Sequence, residues 1–307
     1  MASAHPYLAY LAYFFASYTA LTLSFFMLSF VVPKAAFVAR VLASYLALLF
    51  TAIYGVVASI LLRLAGYGQI SQWATGRHFK YMMILATGIT FEVEDPKHHL
   101  ETMRPAVFLG NHQTELDVLM LGCMFPKYCS MTAKSSLRRM PFLGWFMSLS
   151  GTIFINRQNS ESAREAMRSA VEEIRGKRQS VYMFPEGTRS YSKEPMLLPF
   201  KKGAFHLAIQ AQVPIVPVVV ANYSHILWLR GLVFNAGRIP VKVLDPIPTT
   251  GLTAADVDEL TRTTREVMLK ELITLTEQAR GQKVAVPIVN SMNGVAKASG
   301  IDLKVAA

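Results

Sequence analysis

Two long stretches without a single charge dominate the start of the chain. Residues 6–32 are apolar or small throughout, and beyond Lys34 and Arg40 a second uncharged run covers 41–62. Each is about 20 residues or longer, the length of a helix that crosses a hydrocarbon core of about 30 Å. Helices buried in soluble proteins rarely run so far without a charge. The first run is also too long for a cleaved signal peptide, and its basic flank is on the wrong side. Pro33, Lys34 and Arg40 read as a tight basic connector in the headgroup region. A hairpin of two hydrophobic helices is therefore expected, either crossing the bilayer or dipped into one leaflet. Counting basic residues on the flanks does not choose an orientation.

Past residue 66 the pattern changes. Residues 71–86 have the spacing of an amphipathic helix, and the alternation from Ile89 to Glu94 suits a half-buried strand. Short apolar runs at 105–109, 152–155, 180–184, 215–220 and 240–244 read as buried strands, and a further strand is expected before Lys134. Helical stretches lie between them. One covers 160–175 with Glu/Arg pairs on its outer face, and another runs from 253 to about 280, where Thr253 and Asp256 suit a cap. Strands alternating with helices predict an α/β domain with a mainly parallel or mixed sheet flanked by helices, preceded by the hydrophobic two-helix membrane anchor. The expected divisions are 1–66 for the anchor, 67–282 for the α/β domain and 283–307 for a tail. The tail has scattered Gly, Ser, Asn and Lys, and is expected to be mobile or partner-dependent. No internal repeat is visible.

Composition narrows the class. Of 307 residues 52% are hydrophobic and 17% are charged, against about 25% charged in an ordinary soluble domain. So much apolar content excludes disorder as the main state, and two cysteines exclude a disulfide scaffold. Low cysteine use fits a reducing side for the globular part. The net charge is +11, yet no acidic residue precedes Glu92. High hydropathy joined to a basic balance fits an anionic membrane surface better than nucleic acid. The basic residues also follow membrane flanks and strand ends rather than one continuous stripe.

Four segments carry candidate chemistry, placed in order at the ends of consecutive predicted strands. The first is Asn111-His112-Gln113-Thr114-Glu115-Leu116-Asp117. If Thr114 caps a helix there, Asp117 lies in its first turns and can swing back to the imidazole. A carboxylate on one ring nitrogen fixes the tautomer and stabilises the imidazolium formed when the other nitrogen takes a proton. Taken alone, His-x4-Asp is more often a structural hydrogen bond. Cys123 and Cys129 complete no set of four metal ligands nearby, so neither zinc nor another metal is expected.

The second segment runs from Phe184 to Ser190. Gly187 lets backbone N–H groups approach an anion, Thr188 adds a hydroxyl, and Arg189 supplies a fork that matches phosphate. Glu186 would repel a phosphate unless it pairs with or orients a cation. Lys201 and Lys202 add positive charge at the start of another helical stretch. The third is Gly151 to Arg157, a strand closing on an arginine. The fourth is Val213 to Pro217, a hydrophobic strand whose prolines point to an edge, bulge or rim position. Lys134 after its strand is a candidate anion contact. Each alone is more often structure than function.

In this order and spacing the four segments resemble the motifs of the glycerolipid acyltransferases typified by 1-acylglycerol-3-phosphate acyltransferases. The match covers about residues 88–244, with His112 and Asp117 in Asn-His-x4-Asp, then the segments 151–157, 184–190 and 213–217. Asn156 departs from the pattern, in which aspartate is common, and lacks the charge of an ion pair with Arg157. The resemblance implies acyl transfer from acyl-CoA to the sn-2 hydroxyl of lysophosphatidic acid, with acyl-CoA as substrate and no further cofactor. It implies His112 as general base oriented by Asp117. Lys134, Arg157, Glu186, Gly187, Thr188, Arg189 and Lys201 are then expected around the acceptor phosphate, and the apolar surface around Pro217 and the N-terminal helices along the acyl chain. Analogy with eukaryotic relatives that carry a single hydrophobic hairpin implies the endoplasmic reticulum membrane. The competing readings are acylation of glycerol-3-phosphate or of another lysophospholipid, a lipid hydrolase, and a non-catalytic lipid-binding membrane protein. No Gly-x-Ser-x-Gly elbow supports the hydrolase.

Overall fold

The computed structural model describes residues 6–156 and 159–284. Helix α1 (Pro6–Leu28) has no buried residue, and α2 (Ala35–Leu64) follows after a short turn; both are long and apolar enough to cross a membrane. The expected hairpin is present, held by a hydrogen bond from the Tyr18 hydroxyl to the Leu42 carbonyl and by stacking of Phe15 on Phe50. Along α2 every fourth position from Ala35 to Ser59 is small: Ala35, Ala39, Ala43, Ala47, Thr51, Gly55 and Ser59. Such a row lets a neighbouring backbone come close, and α3 (Ser71–Thr87) packs against α2. At Gly55 a Cβ would come within 2.7 Å of the Phe146 ring and 2.9 Å of the Thr75 methyl, so only glycine fits. Arg40 belongs to α2 and not to a headgroup connector. With no acid in the first 91 residues, its guanidinium donates instead to the carbonyls of Thr87 (3.2 Å) and Phe234 (2.8 Å).

The globular part is built on a seven-stranded sheet. Its elements in chain order begin with β1 (Ile89–Glu94), the one-turn α4 (His99–Thr102), β2 (Val107–Gly110), α5 (Asp117–Met124) and β3 (Cys129–Lys134). They continue with α6 (Leu143–Leu149), β4 (Ile153–Ile155), α7 (Ser160–Lys177), β5 (Ser180–Met183), α8 (Gly203–Ala211) and β6 (Ile215–Val220). The last are the hairpin β7 (Leu227–Trp228) and β8 (Val233–Phe234), then β9 (Gly237–Val243) and α9 (Val257–Arg280). Spatial order in the sheet is β1-β9-β6-β2-β5-β3-β4. All pairs are parallel except β6 with β9, so the sheet is mixed and mainly parallel.

One face is covered by α3 and α5, which bury Phe79, Met83, Leu119 and Met120. The other is covered by α7, α8 and α9 through Ile174, Phe205 and Met268. Strands β2, β5 and β6 are buried at every position, because both their faces are roofed. Thr253 and Asp256 form the expected capping box, in a 3-10 turn that leads into α9. Asn159 caps α7 by accepting from the N–H groups of Glu161 and Ser162.

Pro217 does not lie on a sheet edge. It is buried in the interior strand β6, opposite Leu109 of β2. Its carbonyl accepts from Leu244 N–H at 2.9 Å, but its ring nitrogen, on the same side, has no proton to return, and the pairing of β6 with β9 stops there after Val218 opposite Val243. Proline is tolerated because it stands at the end of that ladder, where it costs one bond. Of the expected tail, the Val284 N–H bonds Glu277, and 285–307 lie outside the described residues.

Candidate active site

Parallel strands β2, β5, β3 and β4 finish at one edge of the sheet, and three of the four segments singled out in the sequence leave from that edge. The chain leaves β2 at Gly110, and Asn111 extends the ladder with its side chain. The Asn111 amide oxygen accepts from Val220 N–H (2.8 Å) and its Nδ2 donates to Val220 O (3.0 Å). Gln113 reaches the same strand end, donating to the carbonyls of Val220 and Ala221. The loop between them is therefore rigid, and His112 sits at its centre.

Four contacts aim His112. Its N–H donates to Glu186 Oε1 (2.7 Å), and its carbonyl accepts from Ser190 N–H (3.0 Å). Its Nδ1 bonds Asp117 Oδ2 at 2.7 Å, and its ring stacks on Phe184 with centroids 4.1 Å apart. Asp117 is completely buried. Its Oδ2 also accepts from the N–H groups of Gln113 (2.6 Å) and Thr114 (3.2 Å), and its Oδ1 accepts from the Tyr223 hydroxyl (2.7 Å). With Nδ1–H directed at this carboxylate, the lone pair lies on Nε2, which no described protein group engages. The His112 side chain keeps 16% exposure, enough for a reactant to reach it.

Thr114 is not the helix cap. α5 starts at Asp117, preceded by Leu116 without a side-chain cap, and the Thr114 hydroxyl accepts instead from Leu116 N–H and pairs with Tyr223. That shift sets Asp117 at the first position of the helix, where the dipole favours a carboxylate.

The loop from Phe184 to Tyr191 is zipped to the His112 loop, since Tyr191 N–H also donates to Gln113 O (3.1 Å). Glu186 is not a ligand-facing residue. It is buried, with Oε1 on His112 N–H and Oε2 on Leu198 N–H (2.9 Å). Burial pushes its carboxyl from 4.5 up to about 8, against the downward pull of those two N–H groups. A carboxyl held above its unfolded value stabilises the fold fully below about 4.5 and loses that contribution as pH rises through about 8. Melting temperature is thus expected to fall across that window for the wild type and to stay flatter for Glu186→Gln. The amide also leaves one N–H unbonded at a cost of about 1–3 kcal/mol. Parallel melting curves across pH test both statements.

The expected anion contacts divide into three groups. Gly187 has φ +69°, and a Cβ there would meet Lys201 Cε at 2.9 Å and Nζ at 3.1 Å, so the lysine chain lies directly over the glycine. Thr188 beside it is exposed. Arg189 holds Glu115 (3.0 Å) and the Tyr191 hydroxyl (3.1 Å) with Nη1, while its buried Nε has no partner. Lys134 stands exposed at the end of β3, paired in register with Ile155, next to Asn156. Arg157 lies outside the described residues. Pro217 is not brought to this edge, and Val213, Ile215 and Val216 are buried with it, so that segment offers no open groove. Among the described residues no cluster of three His, Cys, Asp or Glu side chains is placed to hold a metal ion.

Tyr223, Asn111, Gln113 and the Phe184 ring form part of the site although sequence reasoning assigned them no role. Asn111, Gln113 and Phe184 lay inside the segments already marked. Tyr223 reaches Asp117 from the loop after β6, and no spacing rule connects the two.

A family model described as Acyltransferase matches residues 91–221. The 1-acyl-sn-glycerol-3-phosphate acyltransferase of Saccharomyces cerevisiae is 43% identical over 219 residues, covering 71% of this chain and 72% of that protein. 1-acyl-sn-glycerol-3-phosphate acyltransferase beta of Homo sapiens is 42% identical over 240 residues, covering 76% and 82%. Among solved structures, the 1-acyl-sn-glycerophosphate acyltransferase PlsC from Thermotoga maritima superposes with a TM-score of 0.63 at 21% identity. That match covers 80% of this chain and 96% of the other, and it bears on the fold alone.

Proposed function

This chain belongs to the 1-acyl-sn-glycerol-3-phosphate acyltransferase family, and on that premise we propose that it moves a fatty acyl group from acyl-CoA to the sn-2 hydroxyl of 1-acylglycerol-3-phosphate, giving phosphatidic acid and CoA. The observation that carries the reading is the buried Asp117 carboxylate on His112 Nδ1, with Nε2 left for a reactant beside the loop of Gly187 and Arg189. In this mechanism Nε2 takes the hydroxyl proton as the oxygen attacks the thioester carbonyl. The tetrahedral intermediate then expels the CoA thiolate, which collects the proton from the imidazolium. A thioester is already activated, so the reaction asks for no metal or further cofactor. Direct attack is favoured because, among the described residues, no Ser or Cys side chain bonds the His112 ring.

Lys134, Arg157, Thr188, Arg189 and Lys201 are the proposed phosphate contacts. Glu186 acts through the His112 backbone rather than on substrate. The acyl chain runs toward α2 and the bilayer in this proposal, since Pro217 is enclosed. Residence in the endoplasmic reticulum membrane belongs to the same proposal and is checked by fractionation.

Purified protein given labelled acyl-CoA is expected to acylate 1-acylglycerol-3-phosphate in preference to glycerol-3-phosphate or lysophosphatidylcholine. It is expected to release no free fatty acid when the acceptor is omitted. Preferred labelling of another acceptor would reassign the substrate, and acceptor-free hydrolysis would reassign the reaction. Arg189→Lys keeps the charge but loses the fork. It is expected to raise KM for the phosphate-bearing acceptor while kcat holds. An unchanged KM removes Arg189 from the phosphate site.

A further inference from the structure

Among the described residues beyond 85, the exposed large hydrophobic side chains are Val118, Met140, Phe142, Trp145, Tyr191, Leu229, Leu232 and Val267. Val118, Tyr191 and Val267 stand singly. The other five gather at two tips, one formed by the turn before α6 with the start of that helix, the other by the turn of the β7–β8 hairpin. The elements that carry the tips, α6 and strand β8, pack against α2 at well-separated places. α6 presses Phe146 against Gly55 and accepts from Arg63 Nε on the Leu149 carbonyl (2.6 Å). The hairpin meets the other end, with Phe234 and Phe37 centroids 6.3 Å apart and Arg40 on Phe234 O.

From Phe37 to Arg63 the helix axis runs about 39 Å at about 1.5 Å per residue. Even from Phe37 to Gly55, where Phe146 packs, the axis runs about 27 Å, well beyond the roughly 15 Å of one leaflet's half of the hydrocarbon core, so both tips can meet one leaflet only when α2 lies near the membrane plane. The first tip has the make-up of an interfacial anchor. Trp145 is 53% exposed and packs edge-on against Phe142. Phe142 itself is held at φ +57°, a conformation an aromatic residue rarely adopts. Exposed Arg138 and Arg139 flank this tip and exposed Arg230 marks the other, matching anionic headgroups. Singly exposed apolar residues need no explanation, but aromatics with arginines, continuous with an apolar helix pair, mark a bilayer contact.

We propose that the tips around Trp145 and Leu232 insert into the same lipid leaflet that receives α1 and α2, seating the globular domain on the bilayer at both ends of α2. This inference rests on reading α1 and α2 as the membrane anchor and is independent of the acyl-transfer chemistry. The chain has three tryptophans, at 73, 145 and 228, so single-tryptophan forms are accessible. Trp73→Phe with Trp228→Phe leaves Trp145 as reporter. Adding Trp145→Phe and Leu232→Trp moves the reporter to the second tip, and Trp145→Phe with Tyr13→Trp moves it to α1. The full-length chains are reconstituted into vesicles of phosphatidylcholine, brominated at shallow or deep acyl positions, with phosphatidylglycerol. Both tip reporters are expected to lose emission, more with shallow bromines than with deep ones. Full emission from either tip while the α1 reporter is quenched overturns the proposal. If the α1 reporter also keeps its emission, the anchor reading falls with it. Acyl-transfer assays on the same preparations test the catalytic reading separately.

Discussion

Replacing His112 with alanine is expected to slow acyl transfer by about 10²–10⁴-fold, the usual contribution of a positioned base, while the protein keeps its fold. The second half of that statement follows from where the ring sits. Its side chain contributes one hydrogen bond, to Asp117, and one stacking contact, to Phe184. The loop is held by backbone bonds that alanine retains, from His112 N–H to Glu186 and from Ser190 N–H to the His112 carbonyl. Asp117 would still accept from Gln113, Thr114 and Tyr223, so no buried charge is stranded. KM for either substrate is expected to change little, because the imidazole acts on a proton and not on the phosphate or the CoA moiety. Steady-state kinetics paired with a thermal melt check both halves. A well-folded variant with wild-type turnover would remove His112 from the mechanism and favour a role for this pair in structure alone.

Some of this site could be read before any coordinates, and the parts that could not share a physical reason. Runs such as 215–220 announce themselves because a strand roofed on both faces must be apolar throughout. Direction and edge status are not encoded in such a run. β6 therefore read as a rim strand on account of Pro217, when the proline is excused by the local end of β9. The β7–β8 strands have two residues each, too short for any periodicity to register. The His112–Asp117 pair was legible because its members stand five residues apart in the chain, across one loop-to-helix junction. Tyr223 was not, since it reaches Asp117 through the packing of β6 beside β2. Glu186 shows the same limit from the other side. Its neighbours in sequence suggest an anion site, but burial and the two backbone N–H groups it accepts from make it a strut under His112.

Asp117→Asn is expected to cost nearly as much activity as loss of the imidazole, roughly 10²–10⁴ in kcat on the same footing, with little change in KM. The four donors around Asp117 dictate how the amide would sit. Three of them, His112 Nδ1, Gln113 N–H and Thr114 N–H, converge on Oδ2, so the amide oxygen must take that place. The NH₂ group then faces Tyr223, whose oxygen can accept while its proton turns to the Thr114 hydroxyl. Every buried group keeps a partner, and the fold survives with the ring in place. What disappears is the negative charge that stabilises the imidazolium as the hydroxyl proton arrives, an effect made larger by the complete burial of the site. Asp117→Ala is a different experiment. It strands the Gln113 N–H and His112 Nδ1–H at about 1–3 kcal/mol each, enough to threaten a fold whose total stability is of the order of 5–15 kcal/mol. Thr114 N–H and the Tyr223 hydroxyl still have each other. The asparagine variant should therefore melt close to the wild type and turn over slowly, while the alanine variant should melt far lower. If Asp117→Asn kept full turnover with an unaltered melt, the carboxylate charge would have no part in catalysis, and His112 would have to act without electrostatic support.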